Sequence, residues 1–144
     1  MDFFTSMEVS ASGLAAERER MNVASSNLAN VSTTRTDEGG PYQRRDVVLS
    51  TAPADFSIAG ARASGVAPVR GVEVAAIEKD QKPPRMEYDP GHPDADAKGY
   101  VAYPNVNAVE EMVDMITASR AYEAGVTALT AAVSMAERAL SIGK

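Results

Sequence analysis

The side chains of this sequence that could hold a cation or move a proton gather in one short run, Asp89-Pro90-Gly91-His92-Pro93-Asp94-Ala95-Asp96. Carboxylates and an imidazole at close spacing suit a divalent cation. The spacing is not that of an EF-hand loop, which needs carboxylates at alternate positions, glycine at the sixth and glutamate at the twelfth. Two prolines and a glycine specify a rigid surface turn in which Asp side chains bond their own backbone. The run therefore reads as a surface turn, with a metal-binding module as the alternative. His92 is the sole histidine, and a hydrolase triad cannot be built on it without a Ser or Cys partner in a motif. Gly39-Gly40 lacks the lysine and spacing of a phosphate loop. With no cysteine in the chain, disulfides, thiolate catalysis and Cys-ligated metals are excluded. No catalytic, cofactor or metal site is expected, and the chain does not read as an enzyme.

The element that follows this turn dominates the sequence. After Tyr103-Pro104-Asn105, the residues Met112, Met115, Ser119, Tyr122, Val126, Leu129, Val133, Ala136 and Leu140 alternate three and four apart. This is an a/d heptad seam. A second apolar row, Val106, Val109, Val113 and Ile116, runs beside it. Asn107 can cap the first turn with Glu110 three residues on, and Gly143 is a stop signal. Such a helix would be roughly 50–55 Å long. Apolar residues on more than one side require cover on more than one side, which neighbouring subunits would supply.

Residues 3–31 read as a second helix. Phe4, Met7, Ala11, Leu14, Arg18, Met21, Ser25 and Leu28 form its seam, interrupted by Arg18 and Ser25. Glu17-Arg18-Glu19-Arg20 reads as a solvated or interfacial stripe. Residues 22–30 hold three Asn and two Ser in nine positions, poor helix formers that compete for the backbone. Two readings stand: these side chains fix register across a crowded interface, or the helix frays toward the loop. The middle offers strands at 45–49, 71–77, 85–88 and 99–103, with a mobile Ala-, Ser-, Gly- and Pro-rich loop from Ala52 to Pro68. The fold class expected is mainly α: long N- and C-terminal helices paired as a coiled coil, with a small β-rich or irregular middle region. The parts are 1–34, the N-terminal axial helix; 35–103, the middle domain; and 104–144, the C-terminal axial helix.

The net charge of −6 argues against sequence-independent nucleic-acid binding, which needs a basic face. No apolar run is long enough to span a bilayer. Polar residues interrupt Met1-Asp2-Phe3-Phe4-Thr5-Ser6 at once, so no cleaved secretory leader is expected at this end.

Two blocks carry a family resemblance. The first runs from Ser10 to Arg18 and from Met21 to Thr34, with Ser26-Asn27-Leu28-Ala29-Asn30-Val31-Ser32-Thr33 at its centre. It resembles the N-terminal signature of bacterial flagellar axial proteins, shared among rod, hook and related proteins. The second comprises Tyr88 to Asp96, Gly99-Tyr100-Val101, Pro104 to Asn107, Glu110 to Met115 and Arg120 to Ala124. It is similar to the proximal-rod family within that group. The match departs at Gly125, where the family pattern has Asn. The resemblance implies a structural subunit of the periplasm-spanning basal-body rod, exported unprocessed through the flagellar type III apparatus. It implies self-assembly and co-assembly with other proximal-rod proteins, the distal-rod protein and the rod–export-gate junction protein, into a helical tube that transmits torque to the hook. Taken with the seams, it marks Leu14, Met21, Ser26, Asn27, Leu28, Asn30, Val109, Met112, Val113, Met115, Ile116, Tyr122, Val126, Leu129, Val133 and Leu140 as candidate subunit-interface residues.

Overall fold

The computed structural model describes residues 3–53 and 70–142. The elements run α1 (Phe3–Ala29), β1 (Arg45–Pro53), β2 (Arg70–Lys79), β3 (Arg85–Tyr88), β4 (Tyr100–Tyr103) and α2 (Ala108–Ile142). β1 pairs with β2 and β3 with β4, giving two small antiparallel sheets. In the second sheet Arg85 stands opposite Tyr103 and Tyr88 opposite Tyr100. Most of the loop expected from Ala52 to Pro68, and the stop expected at Gly143, lie outside the described residues.

The local chemistry explains the element ends. α1 ends in a tightened last turn: the Asn30 and Val31 N–H groups donate to the Asn27 and Leu28 carbonyls at 3.2 and 3.3 Å, giving partners to carbonyls at the helix end, and the Asn30 side-chain amide folds back to donate to the Ser26 carbonyl at 2.9 Å. Thr33 Oγ1 then donates to Asn30 Oδ1 at 3.1 Å and holds that amide in place. α2 begins at an Asn107 cap, whose Oδ1 accepts from the Val109 N–H at 3.1 Å. Glu110 and Glu111 lie in the first turn, where the helix dipole favours negative charge.

The chain forms two compact units, and both helices and the β1–β2 pair contribute segments to each. In the first unit, Ser12 Oγ accepts from the Val72 N–H at 3.0 Å while donating to the Val9 carbonyl at 2.7 Å. In the same unit Leu14 lies against Gly125, and Ala16 and Ala118 are buried. The second unit buries Val23, Ala24, Tyr42, Val101 and Val106, together with the polar pair Asn27 and Glu111.

The expectation of a mainly α coiled coil is overturned. About half of the described residues are helical and about a fifth are in strands, arranged as two sheets. The reason lies in which face of α1 is covered. The buried positions are Ala16, Val23, Ala24 and Asn27, not the seam through Leu14, Arg18, Met21 and Leu28, which is half-buried or exposed. Heptad reading assumes that the partner is another helix. Here strand backbone also takes a flank of α1, at Ser12 in one unit and at Asn27 in the other. Small and polar side chains suit that contact because they let backbone approach and answer its N–H and C=O groups.

Candidate functional site

Asn27 stands two residues before the end of α1, is 1% exposed and makes four hydrogen bonds. Its Nδ2 donates to the Arg45 carbonyl at 2.8 Å and to Glu111 Oε2 at 2.9 Å. Its Oδ1 accepts from the Arg45 N–H at 2.9 Å and from the Tyr42 hydroxyl at 3.0 Å. An amide has two donors and two lone pairs, so every one is used. Asn27 thereby mimics a strand neighbour, pairing with both backbone groups of Arg45 at the start of β1.

Glu111, also 1% exposed, completes the clasp from α2. Its other oxygen accepts from Arg44 Nε at 2.6 Å. Arg44 reaches further carboxylates at Asp46 (3.4 Å) and Asp114 (3.6 Å). Burial opposes the charge of Arg44, but the hydrogen bond and charge of Glu111, with help from Asp46, outweigh it and hold the guanidinium above its ordinary range. The Arg44 N–H donates to Asn105 Oδ1 at 3.3 Å, tying the lead-in of α2 to the same strand start. A buried ion pair with further hydrogen bonds is costly to break one partner at a time.

On α2, Glu111 and the exposed apolar residues lie roughly half a turn apart at 3.6 residues per turn. Val109, Met112, Val113 and Ile116 form one stripe and are 68%, 45%, 55% and 53% exposed. A contiguous apolar stripe on a soluble surface marks an interaction site more often than a lone exposed residue does. The two halves therefore have different tasks: the Glu111 side fixes the helix to its own chain, and the stripe is left open.

The remaining candidate interface residues divide the same way. Val126 and Leu140 are exposed at 40% and 75%, whereas Leu14, Met21, Ser26, Leu28, Asn30, Met115, Tyr122, Leu129 and Val133 are partly covered by the chain itself. Ser26 Oγ sits 3.4 Å from the Tyr42 hydroxyl, and Asn30 caps α1. Sequence reasoning missed Tyr42, Arg44, Glu111 and Asn105. Glu111 carries the one available signal, a second acidic residue in the first turn of α2, but no spacing rule links it to position 27.

The Asp89–Asp96 run is a closed set of turns. Asp89 Oδ1 accepts from the Gly91 N–H at 3.2 Å. Asp96 Oδ1 accepts from the Lys98 and Tyr100 N–H groups at 2.7 and 2.9 Å. Asp94 Oδ2 accepts from Thr34 Oγ1 at 2.8 Å, and the Asp94 N–H donates to His92 Nδ1 at 3.1 Å. Each carboxylate thus bonds the backbone or Thr34, and Asp94 also pairs with Arg35 at 3.9 Å. Among the described residues no three His, Asp or Glu side chains converge as metal ligands, and no helix is long and apolar enough to cross a membrane.

A polar clasp that fixes two helix segments to a strand, beside an apolar stripe with nothing on it, defines a structural, packing protein. Comparison with known proteins says which kind. The family model described as "Flagella basal body rod protein" matches residues 7–35, and that described as "Flagellar basal body rod FlgEFG protein C-terminal" matches residues 97–142. The chain is 47% identical to the flagellar basal-body rod protein FlgC of Borreliella burgdorferi, with 99% of this chain and 98% of the relative covered. It is 46% identical to FlgC of Bacillus subtilis over the full length of both, and 39% identical to FlgC of an Escherichia coli strain over 95% of each. The chain belongs to the flagellar basal-body rod protein FlgC family. The resemblance read in residues 10–34 and 88–124 is borne out, and the family is structural, with no enzymatic step.

Proposed function

We propose that this chain is a structural subunit of the flagellar basal-body rod and that it joins its neighbours through the outer faces of its terminal helices. It resides in the basal body and assembles with other rod components. The observation that carries the reading is the open stripe of Val109, Met112, Val113 and Ile116 on a helix whose opposite side is locked by Glu111. In the assembled rod these side chains are covered by neighbouring subunits, which removes apolar surface from water at about 25 cal/mol per Å². The finer features follow from that packing. Self- and co-assembly with proximal-rod, distal-rod and export-gate-junction proteins closes a helical tube, and torque passes to the hook through many packed side chains rather than a chemical step. Delivery is through the flagellar type III export apparatus.

Electron microscopy of envelopes tests this reading, with a deletion strain beside its parent and a complemented strain. The expected outcome is rotor rings without rod or hook in the deletion and restoration by the gene. Val113→Asp with Ile116→Asp should fail to restore rods, although the purified variant keeps its helix content, since neither side chain is buried in the single chain. Complete flagella in the deletion strain, or full rescue by the doubly acidic variant, would overturn the proposal.

A further inference from the structure

The last turns of α2 lose the cover that the rest of the helix has. At 3.6 residues per turn, Val133, Ala136 and Leu140 fall on the side of the helix that is buried at Ala118. Val133 and Ala136 are half-buried, yet Leu140 is 75% exposed. Around the helix from Leu140, Met135 and Ile142 are 66% and 85% exposed, and the exposed Arg138 and Ala139 complete their row. A helix end that is apolar on more than one side needs cover on more than one side.

Three observations say what covers it. The row Met135, Arg138, Ala139 and Ile142 has the same spacing as the open stripe Val109, Met112, Val113 and Ile116, so the two match in length. Set side by side in the same direction, they put the small Ala139 opposite Val113, a hole facing a knob. Lastly, their charges are complementary. Glu110 and Arg138 are exposed, neither has an ion-pair partner among the described residues, and they flank their rows on opposite sides. Opposite flanks meet when two helices run parallel, as the e and g positions of a parallel coiled coil do. Glu137 lies roughly half a turn around the helix from its row, and Arg120 lies past Ile116, beyond the matched length.

We propose that the end of α2 of one copy of this chain, from Met135 to Ile142, lies parallel on the Val109–Ile116 stripe of a second copy, with Arg138 of one beside Glu110 of the other. This names the occupant of the stripe and rests on the subunit reading above. Contact between unlike surfaces is head-to-tail, so it propagates into a ring or a helical filament instead of stopping at a dimer. The apolar rows supply the burial, and the Glu110–Arg138 pair fixes direction and register, since charge contacts give specificity more than affinity.

The test is disulfide trapping in basal bodies isolated from cells expressing the full chain, which has no cysteine of its own. Val113→Cys with Ala139→Cys should give, on mild oxidation, a ladder of covalent multimers in which peptide mapping finds the 113–139 link. Each single variant should give no dimer. Both positions are exposed in the single chain, and a melting curve of the purified variants checks that they fold. Arg138→Glu in the paired-cysteine chain should lower the yield about tenfold through like-charge repulsion, and adding Glu110→Arg should restore it. Dimers from Ala139→Cys alone would mean that two α2 ends meet tail to tail. Assembled rods with no 113–139 link would mean that something other than a second copy covers the stripe. In either case the pairing is wrong and the subunit reading stands. If the chain is absent from basal bodies altogether, both fall together.

Discussion

Asn27 and Glu111 are 84 positions apart in sequence and are joined by a 2.9 Å hydrogen bond in which both residues are buried. The end of α1 and the start of α2 meet through this pair, and the strand start at Arg44–Arg45 is held by its two remaining arms.

Removing Asn27 should therefore cost far more than a surface change. Asn27→Ala leaves the Tyr42 hydroxyl, both backbone groups of Arg45 and one Glu111 oxygen without their partner, and the expected loss is about 2–4 kcal/mol. Glu111→Ala strands the Arg44 guanidinium in a partly buried site and should cost about 3–5 kcal/mol, whereas Glu111→Gln should cost less. Urea unfolding of the purified chain reads both, and the double variant gives the coupling. Strict additivity would show that the two residues do not act as a unit.

Gly99 is required by its backbone. Its φ is +82°, and an added Cβ would stand 2.9 Å from Tyr88 Cε2 and 3.2 Å from Pro90 Cβ. Gly99→Ala should destabilise the Asp89–Tyr100 turn by about 1–3 kcal/mol. Faster limited proteolysis within residues 89–100 is the local readout, and an unchanged cleavage rate would argue that the turn relaxes freely.

Gly125 differs from Gly99 in kind. It lies in mid-helix, and the atom an added Cβ would meet is Leu14 Cδ2 at 2.8 Å, the end of a flexible side chain. Alanine gains about 1 kcal/mol of helix preference over glycine, which displacement of Leu14 offsets. Gly125→Ala should thus change stability by less than about 1 kcal/mol, and in a Leu14→Ala background the same substitution should become stabilising. A large loss in both backgrounds would mean that the backbone approach at Gly125 is tighter than the Leu14 contact alone indicates.

Glu38 sets a pH signature for the first loop. The hydrogen bond from Lys79, and then its charge, lower the Glu38 carboxyl below its ordinary 4.5. A depressed folded-state value means that the contribution to stability is present above the ordinary carboxylate range and is lost as pH falls through the lowered value. Glu38 is fully exposed, so salt should weaken the effect. An NMR titration should show the Glu38 midpoint return toward 4.5 in Lys79→Met and at high salt. A midpoint insensitive to both would exclude the pair as its cause.

How much was legible in the sequence differs from residue to residue. The heptad spacing from Met112 to Leu140 and the Asn107 cap specify a long helix by local rules alone, and α2 runs from Ala108 to Ile142 as that pattern requires. The Pro- and Asp-rich run from Asp89 dictates turns, because Asp side chains bond backbone within a few residues, and Asp89 and Asp96 do so. Family membership was likewise carried by contiguous blocks.

Tertiary structure decided which face of each helix is covered and by what. Periodicity finds apolar stripes and cannot weigh them against strand backbone, so the seam through Leu14 and Met21 stood out while the buried stripe through Ala16, Val23 and Asn27 did not. Asn27 had two sequence readings because an amide has no local preference strong enough to fix its partners. Those partners, Tyr42, Arg45 and Glu111, are chosen only when the chain closes and burial makes every unmet hydrogen bond costly. The sequence by itself determined two long helices, a turn-rich connection to the second, and the family. Folding determined that the Asn-rich end of the first helix clasps a strand and a glutamate, because hydrogen-bond partners distant in sequence are set by closure of the chain and not by spacing along it.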